Sequence, residues 1–288
     1  PNDHVKRLCK KYSKLFKGIG KLKGIQIKLH IDETVPPVAQ PHRRIPFHLR
    51  KKVEAELEKE ENNDIIETVD GPTPWVSPIT CPVKPNNPDK VRLCVDMRQA
   101  NKAIKRERHI SPTIDDILVE LNGSKVFSKL DMNSAFHQCE LAPESRYITT
   151  FSTHKGLRRY KRLNFGVTSA SEIFQNVMSQ ILSGLEGVFN IQDDIFVHGR
   201  NQAEHDRRLE ALFERLASYN ATLNLDKCQF NQSQVPFYGH VFSEKGMSPD
   251  PVKVQAIKQA SPPKDKQELS SFLGMSNYLS RYIHNYST

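Results

Sequence analysis

Apolar residues recur at two spacings along this 288-residue chain, and the switches between them mark out its elements. In HLRKKVEAELEKEEN, Leu49, Val53 and Leu57 return every four residues on a charged background just after Pro46. That spacing predicts an exposed amphipathic helix. Residues 169–185 give the clearest helix. Ile173, Phe174, Val177, Met178, Ile181, Leu182 and Leu185 form one apolar stripe, and Ser169 with Glu172 has the spacing of a capping box. Leu209, Leu212, Phe213 and Leu216 predict another helix over 202–219, and two more are expected near 250–260 and 265–284. Alternation marks the strands. GIQIKLHIDETV (24–35) reads as one strand, followed by the Pro-rich PPVAQPHRRIP. Short strands are expected at 75–80 and 90–96, either side of a PNNPD turn, and again at 124–131. Residues 145–165 read as a hairpin turning at His154, Lys155 and Gly156, and further strands fall near 221–230 and 235–242. Short antiparallel strands covered by helices make an α+β class.

Hydrophobic residues are 37% and charged residues 26%, as in a soluble globular protein. No apolar run approaches ~18 residues, so no membrane span is expected. The start is polar and basic, without the apolar core of a secretory signal. Five scattered cysteines (Cys9, Cys81, Cys94, Cys139, Cys228) form no C-x-x-C pair. Reduced thiols in an intracellular setting are the simplest reading. The net charge of +9 is uneven, because residues 1–28 hold nine Lys/Arg and one acid. A basic total hints at nucleic acid, but here it resides almost wholly in the leading segment, which reads equally well as a solvated arm.

One stretch resists the pattern. In NIQDDIFVHG (190–199), Asp193 and Asp194 lie inside a run of strand composition, where Asp is depleted. Two carboxylates ~4 Å apart at an effective dielectric of ~20 repel by roughly 4 kcal/mol. Adjacent strand residues face opposite sides, so both acids can serve one site only at a bend such as a hairpin tip. A divalent cation there turns repulsion into attraction, and hard oxygen ligands suit Mg²⁺ or Mn²⁺. Asp131 ends another predicted strand in KVFSKLDMNSAFHQ and would complete a three-carboxylate site if the strands are neighbours. A second pair, Asp115-Asp116 in SPTIDDILVEL, follows Pro112 at an apparent helix start, where acids favour the helix dipole.

With these motifs in view, the chain resembles the reverse transcriptase domain of gypsy-type LTR retrotransposons. The resemblance rests on VRLCVDMRQANKA (91–103), VFSKLDMNSAFHQ (126–138), RLNFGVTSASEIFQ (162–175), IQDDIFVHG, LDKCQF (225–230), FYGHVFSEKGMSPDPVKVQAI (237–257) and SFLGMSNYLSRYI (271–283), in the family's order. It implies a right-hand polymerase fold with an antiparallel palm sheet packed on helices. A basic lead would cover 1–45, fingers and palm 46–243, and the start of the thumb 244–288. It implies an RNA- and DNA-directed DNA polymerase in which Asp131, Asp193 and Asp194 hold two Mg²⁺ ions (or Mn²⁺). Arg92 and Lys84 would hold the triphosphate, with Lys90 competing for the Lys84 role. Phe136 would gate against ribonucleotides, although it also reads as an ordinary core Phe. Phe165 and Gly166 would pass beside the dNTP, where glycine allows close backbone approach. Lys227 would protonate pyrophosphate or simply be a solvated lysine. Ile191, Gln192, Phe237, Tyr238, Gly239 and His240 would contact the primer.

The implied partners are a primed RNA or DNA template and dNTPs. RNase H and integrase would lie downstream in the same polyprotein, of which this chain, beginning at Pro1, would be one piece. The chain departs from the family pattern in three places: Ile191 stands for the usual Tyr, Asn164 for a common Pro, and DMNSAFHQCE for DLxSGYHQ. These departures keep open a decayed or domesticated domain that binds nucleic acid without polymerising. A metal-dependent nuclease using the same acids is a third, weaker alternative.

Overall fold

The computed structural model describes residues 3–85, 87–107, 114–237 and 239–286. Helix α1 (Asp3–Lys11) opens the chain and buries Val5 and Leu8. Leu15 and Leu22 follow them into the main core. The basic lead is therefore no solvated arm: its polar side chains face out while a sparse apolar set anchors it. Strand β1 is only Gln26–Ile27. The longer strand expected over 24–35 breaks because the Leu29 N–H donates to Ser145 Oγ (2.9 Å) and the Asp32 N–H to the Ala103 carbonyl. Side-chain and loop partners replace the ladder.

Helix α2 (Phe47–Asn62) forms as its spacing predicts, burying Val53 and Leu57. Short strands β2 (Ile66–Thr68), β3 (Ile79–Thr80), β4 (Val83–Lys84), β5 (Asn87–Val91) and β6 (Cys94–Val95) follow. Helix α3 (Ile114–Leu121) carries Asp115 and Asp116 in its first turn. Asp115 also makes a two-pronged ion pair with Arg281 (2.7 and 2.8 Å). Pro112 lies outside the described residues.

The centre of the molecule is a four-stranded antiparallel sheet. Strand β7 (Val126–Asp131) is its core. The chain continues through β8 (Glu140–Leu141) and the hairpin β9 (Phe151–Thr153) and β10 (Gly156–Tyr160) to α4 (Ala170–Leu182). The hairpin turns through His154 and Lys155, as expected. The apolar stripe of α4 is buried, but its start is not a capping box. Ser169 makes no side-chain cap, and its buried hydroxyl has no partner. Glu172 is instead drawn to Arg106, whose Nε donates at 3.0 Å. A charge-assisted pair outcompetes a neutral cap.

Strands β11 (Val188–Ile191) and β12 (Asp194–Gly199) complete the sheet with β13 (Gln229–Gln232), in the order β11-β12-β7-β13. Helix α5 (Gln202–Ser218) covers one face, burying Leu209, Leu212, Phe213 and Leu216. Tyr12 and Phe16 reach Phe213 edge-on at 6.0 and 5.8 Å. Buried His205 bonds Ser128 Oγ of β7 (2.8 Å) and fixes the helix over the sheet. The other face meets a second core of Ile117, Leu121, Phe127, Ile191, Phe196, Val235, Phe237 and Phe242. Strands β14 (Gln234–Phe237), β15 (His240–Ser243) and β16 (Gly246–Pro249) form a separate antiparallel sheet, followed by α6 (Pro251–Gln259) and α7 (Lys266–Tyr278). Among the described residues no helix is long and apolar enough to cross a membrane.

Candidate active site

The pairing of β7 with β12 assembles the acids. Asp194 sits opposite Asp131, and Ile191 opposite Asp194 across a two-residue turn of Gln192 and Asp193. Directly paired residues on antiparallel strands hold their Cβ atoms about 5 Å apart. The two runs that looked like one interrupted strand are the two arms of a hairpin, and the acids mark its tip. Gln192 has φ +53°, a left-handed conformation that non-glycine residues rarely adopt. Buried Gln175 on α4 holds it there. Its Oε1 accepts the Gln192 N–H (2.9 Å), and its Nε2 donates to the Asn190 carbonyl (3.0 Å). The Asp193 carbonyl accepts the Met132 N–H (3.2 Å), tying the turn to the end of β7.

The three carboxylates differ in environment. Asp194 forms an ion pair with Lys129 (2.7 Å), and Asp131 a looser one with Lys227 (3.5 Å). Asp193 Oδ1 is buried without a hydrogen-bond partner. Burial pushes the Asp193 carboxyl above its usual range, reinforced by Asp131 and Asp194. Burial also raises Asp131, against the pull of Lys227. Among the described residues no three His, Cys, Asp or Glu groups already form a metal cage. A partnerless oxygen beside a like-charged neighbour nevertheless fits Mg²⁺, which usually takes one or two carboxylates plus waters and substrate phosphates.

Phe136 is buried beneath Phe165, with ring centroids 4.8 Å apart, and also meets Phe174 at 5.6 Å. Phe165 itself is 55% exposed. Gly166 has φ +99°, and a Cβ there would stand 3.2 Å from Met97 Cγ. Asn101 braces this loop, donating to the Gly166 carbonyl (2.8 Å) and accepting the Thr168 N–H (3.0 Å). Asn164 is buried and donates to the Phe165 carbonyl (3.0 Å). Arg92 is exposed just after β5, Lys90 is exposed on β5, and Lys84 on β4 lies 3.9 Å from Glu56.

The primer-contact candidates divide. Gln192 is exposed and Gly239 half-buried. Ile191, Phe237 and His240 turn their side chains into the protein. Phe237 packs edge-on against Phe196 at 4.6 Å. The His240 ring stacks on Tyr278 at 5.7 Å and bonds the Tyr282 hydroxyl (2.7 Å), so it docks the end of the chain. Tyr238 lies outside the described residues. A cleft of about 270 Å³ runs between the two hairpins, lined by Lys129, Ile191, Gln192, Asp194, Pro236, Phe237 and Gly239.

Sequence reasoning missed Gln175 and Lys129. Gln175 was legible as a polar break in the α4 stripe. Lys129 was legible as the residue two before Asp131, on the same face of the strand.

A family model described as reverse transcriptase (RNA-dependent DNA polymerase) matches residues 83–242. The chain belongs to the reverse transcriptase family. An uncharacterised protein of Caenorhabditis elegans is 34% identical over 278 residues, covering 96% of this reverse transcriptase domain and 22% of the relative. The retrovirus-related Pol polyprotein from transposon 412 of Drosophila melanogaster is 33% identical, covering 98% and 23%. The domain thus spans under a quarter of these relatives' lengths. Among solved structures, the foamy viral protease-reverse transcriptase in complex with dsDNA superposes with a TM-score of 0.86 at 22% identity, covering 100% of this chain and 51% of that one. The same viral protein with an RNA/DNA hybrid gives 0.80 at 22%, covering 96% and 38%. The fold is the right-hand polymerase fold of mixed α+β class. The motif reading is borne out at the level of a retrotransposon-type reverse transcriptase domain.

Proposed function

We propose that this chain is the polymerase domain of a gypsy-type retrotransposon polyprotein, extending a primer 3′ end with dNTPs on RNA and DNA templates. The observation that carries this reading is the acid turn. Asp193, buried with an oxygen lacking a partner, is delivered to the same sheet end as Asp131. Asp131, Asp193 and Asp194 would hold Mg²⁺. Bound divalent ions would supply charge neutralisation at the transferring phosphate and a lower pKa for the 3′-hydroxyl.

The chain's own residues do the rest. Gln175 and the Met132 N–H fix the turn that presents Asp193. Phe136, held under Phe165, excludes a 2′-hydroxyl, and Gly166, whose φ of +99° and close neighbour Met97 suit no side chain, carries the loop past the nucleotide. Arg92, with Lys84 or Lys90, neutralises the triphosphate. Lys227, 65% exposed and beside Asp131, is placed to give a proton to leaving pyrophosphate. The cleft between the acid hairpin and β14–β15 suits a primer terminus. There the backbone around Ile191, Gln192 and Gly239 is the contact, with Phe237 and His240 supporting it from within.

Residues 46–249 form the fingers and palm in this reading, and 250–288 the start of a thumb. The boundary moves from 243 because β16 pairs with β15. RNase H and integrase activities would belong to other parts of the polyprotein. Ile191 is part of the second core, so the missing Tyr leaves no packing defect, and no observation favours a decayed domain. The test is extension of a primed homopolymer RNA template with dNTPs. Mg²⁺ should support processive addition and EDTA should abolish it. Absence of addition in Mg²⁺ and Mn²⁺ alike, with template–primer bound, would sink the reading.

A further inference from the structure

The lead turns its apolar side to the core, and its other side is almost purely cationic. Residues 3–17 hold six Lys/Arg against one acid. Lys6 lies 3.8 Å from Asp3, both exposed, and Lys11 pairs with Glu210 of α5 at 2.8 Å. Arg7, Lys10, Lys14 and Lys17 are exposed. Among the described residues their side chains have no ion pair or hydrogen bond. Helix α1 runs on through a tight turn over Ser13–Phe16. Residues three or four apart share one side of a helix, so Arg7, Lys10 and Lys14 form a row, with Lys17 at its end. Val5, Leu8 and Leu15 occupy the opposite side and are buried. From Arg7 to Lys14 the row is about 10 Å long, at ~1.5 Å per residue. Tyr12 and Phe16 seat this segment on Phe213 of α5, over one face of the central sheet. The cleft between the two hairpins lies on the other face, where its lining residues Ile191 and Phe237 belong to the second core. The row therefore lies across the sheet from the cleft.

We propose that Arg7, Lys10, Lys14 and Lys17 form a second nucleic-acid surface, which grips the phosphate backbone of a strand outside the cleft without reading its sequence. The row's length matches about three phosphates at ~3.4 Å per phosphate along one strand. Cations without protein partners are free to replace the counterions of a polyanion, and that release drives backbone binding. Two other occupants fit less well. A protein interface needs an apolar, desolvated centre, yet among the described residues no large apolar side chain ahead of Val38 is exposed. A helix lying on a membrane inserts its apolar face, whereas Val5 and Leu8 of α1 are committed to the core. The surface goes beyond the polymerase reading and does not depend on the acid cluster. It also gives the basic lead a role on each side: apolar residues anchor it and cations hold nucleic acid.

The experiment uses the intact chain and a fluorescent single-stranded RNA of about 12 nucleotides, with excess unlabelled primed hairpin to occupy the cleft. Fluorescence anisotropy follows binding over a range of salt. The triple variant Arg7→Gln/Lys10→Gln/Lys14→Gln should bind the RNA at least about 10-fold more weakly at ~50 mM salt. Its log–log salt slope should fall by about 2, at ~0.7 per lost contact. Arg7→Lys/Lys10→Arg/Lys14→Arg, which keeps the charge, should stay within about 3-fold of wild type. Lys14→Gln alone, with a slope change of about 0.7, replaces the triple variant if that one loses its cooperative melt. Cross-linking of the bound RNA, followed by peptide mass mapping, should mark residues 6–17. Unchanged affinity and slope in the neutral variants, or cross-links confined to the cleft, overturn the proposal. Equal displacement of the RNA by charge-matched polyglutamate, or tighter binding to phosphatidylserine vesicles, overturns it too, because the face then belongs to a protein or lipid partner. Primer extension by the wild type is measured separately. Its failure counts against the polymerase reading, while the salt slope and cross-links decide the second surface.

Discussion

Glu60 shows how a single residue can carry a cost that its helix hides. It is 8% exposed on α2, and one carboxyl oxygen has no partner. Burial, then the neighbouring Glu56, pushes its carboxyl up to about 7. In the unfolded chain the group ionises near 4.5. The folded state thus binds the proton more tightly. Its advantage is complete below the unfolded value and is lost as pH rises through about 7. Glu60→Gln should therefore stabilise the protein at pH 8, on the order of 3 kcal/mol, and change little at pH 4. Urea unfolding at the two pH values checks this. A variant equally stable to wild type at pH 8 would show that Glu60 stays solvated.

At the scale of elements, the acid hairpin depends on α4. Losing both Gln175 bonds leaves the Gln192 N–H and Asn190 carbonyl unpaired, a cost of roughly 1–3 kcal/mol. It also frees a turn held at positive φ. Gln175→Ala should lower kcat by about 10-fold or more with a smaller change in KM for dNTP. Adding Gln192→Gly, which accepts that φ without strain, should restore part of the loss. Steady-state incorporation kinetics on the two variants and their combination decide it, and additive losses would contradict the clamp. Much of this hairpin was legible in the sequence: apolar arms, an acid tip, and a strand ending at Asp131. Its supports left only faint marks, a polar break at Gln175 and a lysine two residues before Asp131, whose meaning depends on helix position and strand register. The burial of His240, expected to contact the primer, was hidden for a similar reason, since Tyr278 and Tyr282, some 40 residues on, cover its ring. The capping box at Ser169 failed because Arg106, distant in sequence, claims Glu172.

For the whole molecule, the leading segment is structural. Val5, Leu8, Leu15 and Leu22 are each at most 3% exposed and belong to the main core. Four such side chains contribute about 6–12 kcal/mol of burial, comparable with the roughly 5–15 kcal/mol net stability of a domain. Deleting residues 1–25 should abolish cooperative unfolding, read by circular dichroism on heating. A truncated chain that melts like the full one would return the segment to the status of an arm. The charge distribution alone concealed this role, because over residues 1–28 nine basic side chains outnumber the five buried apolar ones, Val5, Leu8, Leu15, Leu22 and Ile27.

The central claim is that Asp131 and Asp193 form the reacting end of the sheet. Its most direct measurement is primer extension by wild type and Asp193→Asn at matched template–primer occupancy in Mg²⁺. The wild type should extend, while Asp193→Asn should bind template–primer within about 3-fold of wild type and lose at least 10³-fold in rate, the scale on which removing a principal electrostatic group acts. Equal extension by both proteins would contradict the account.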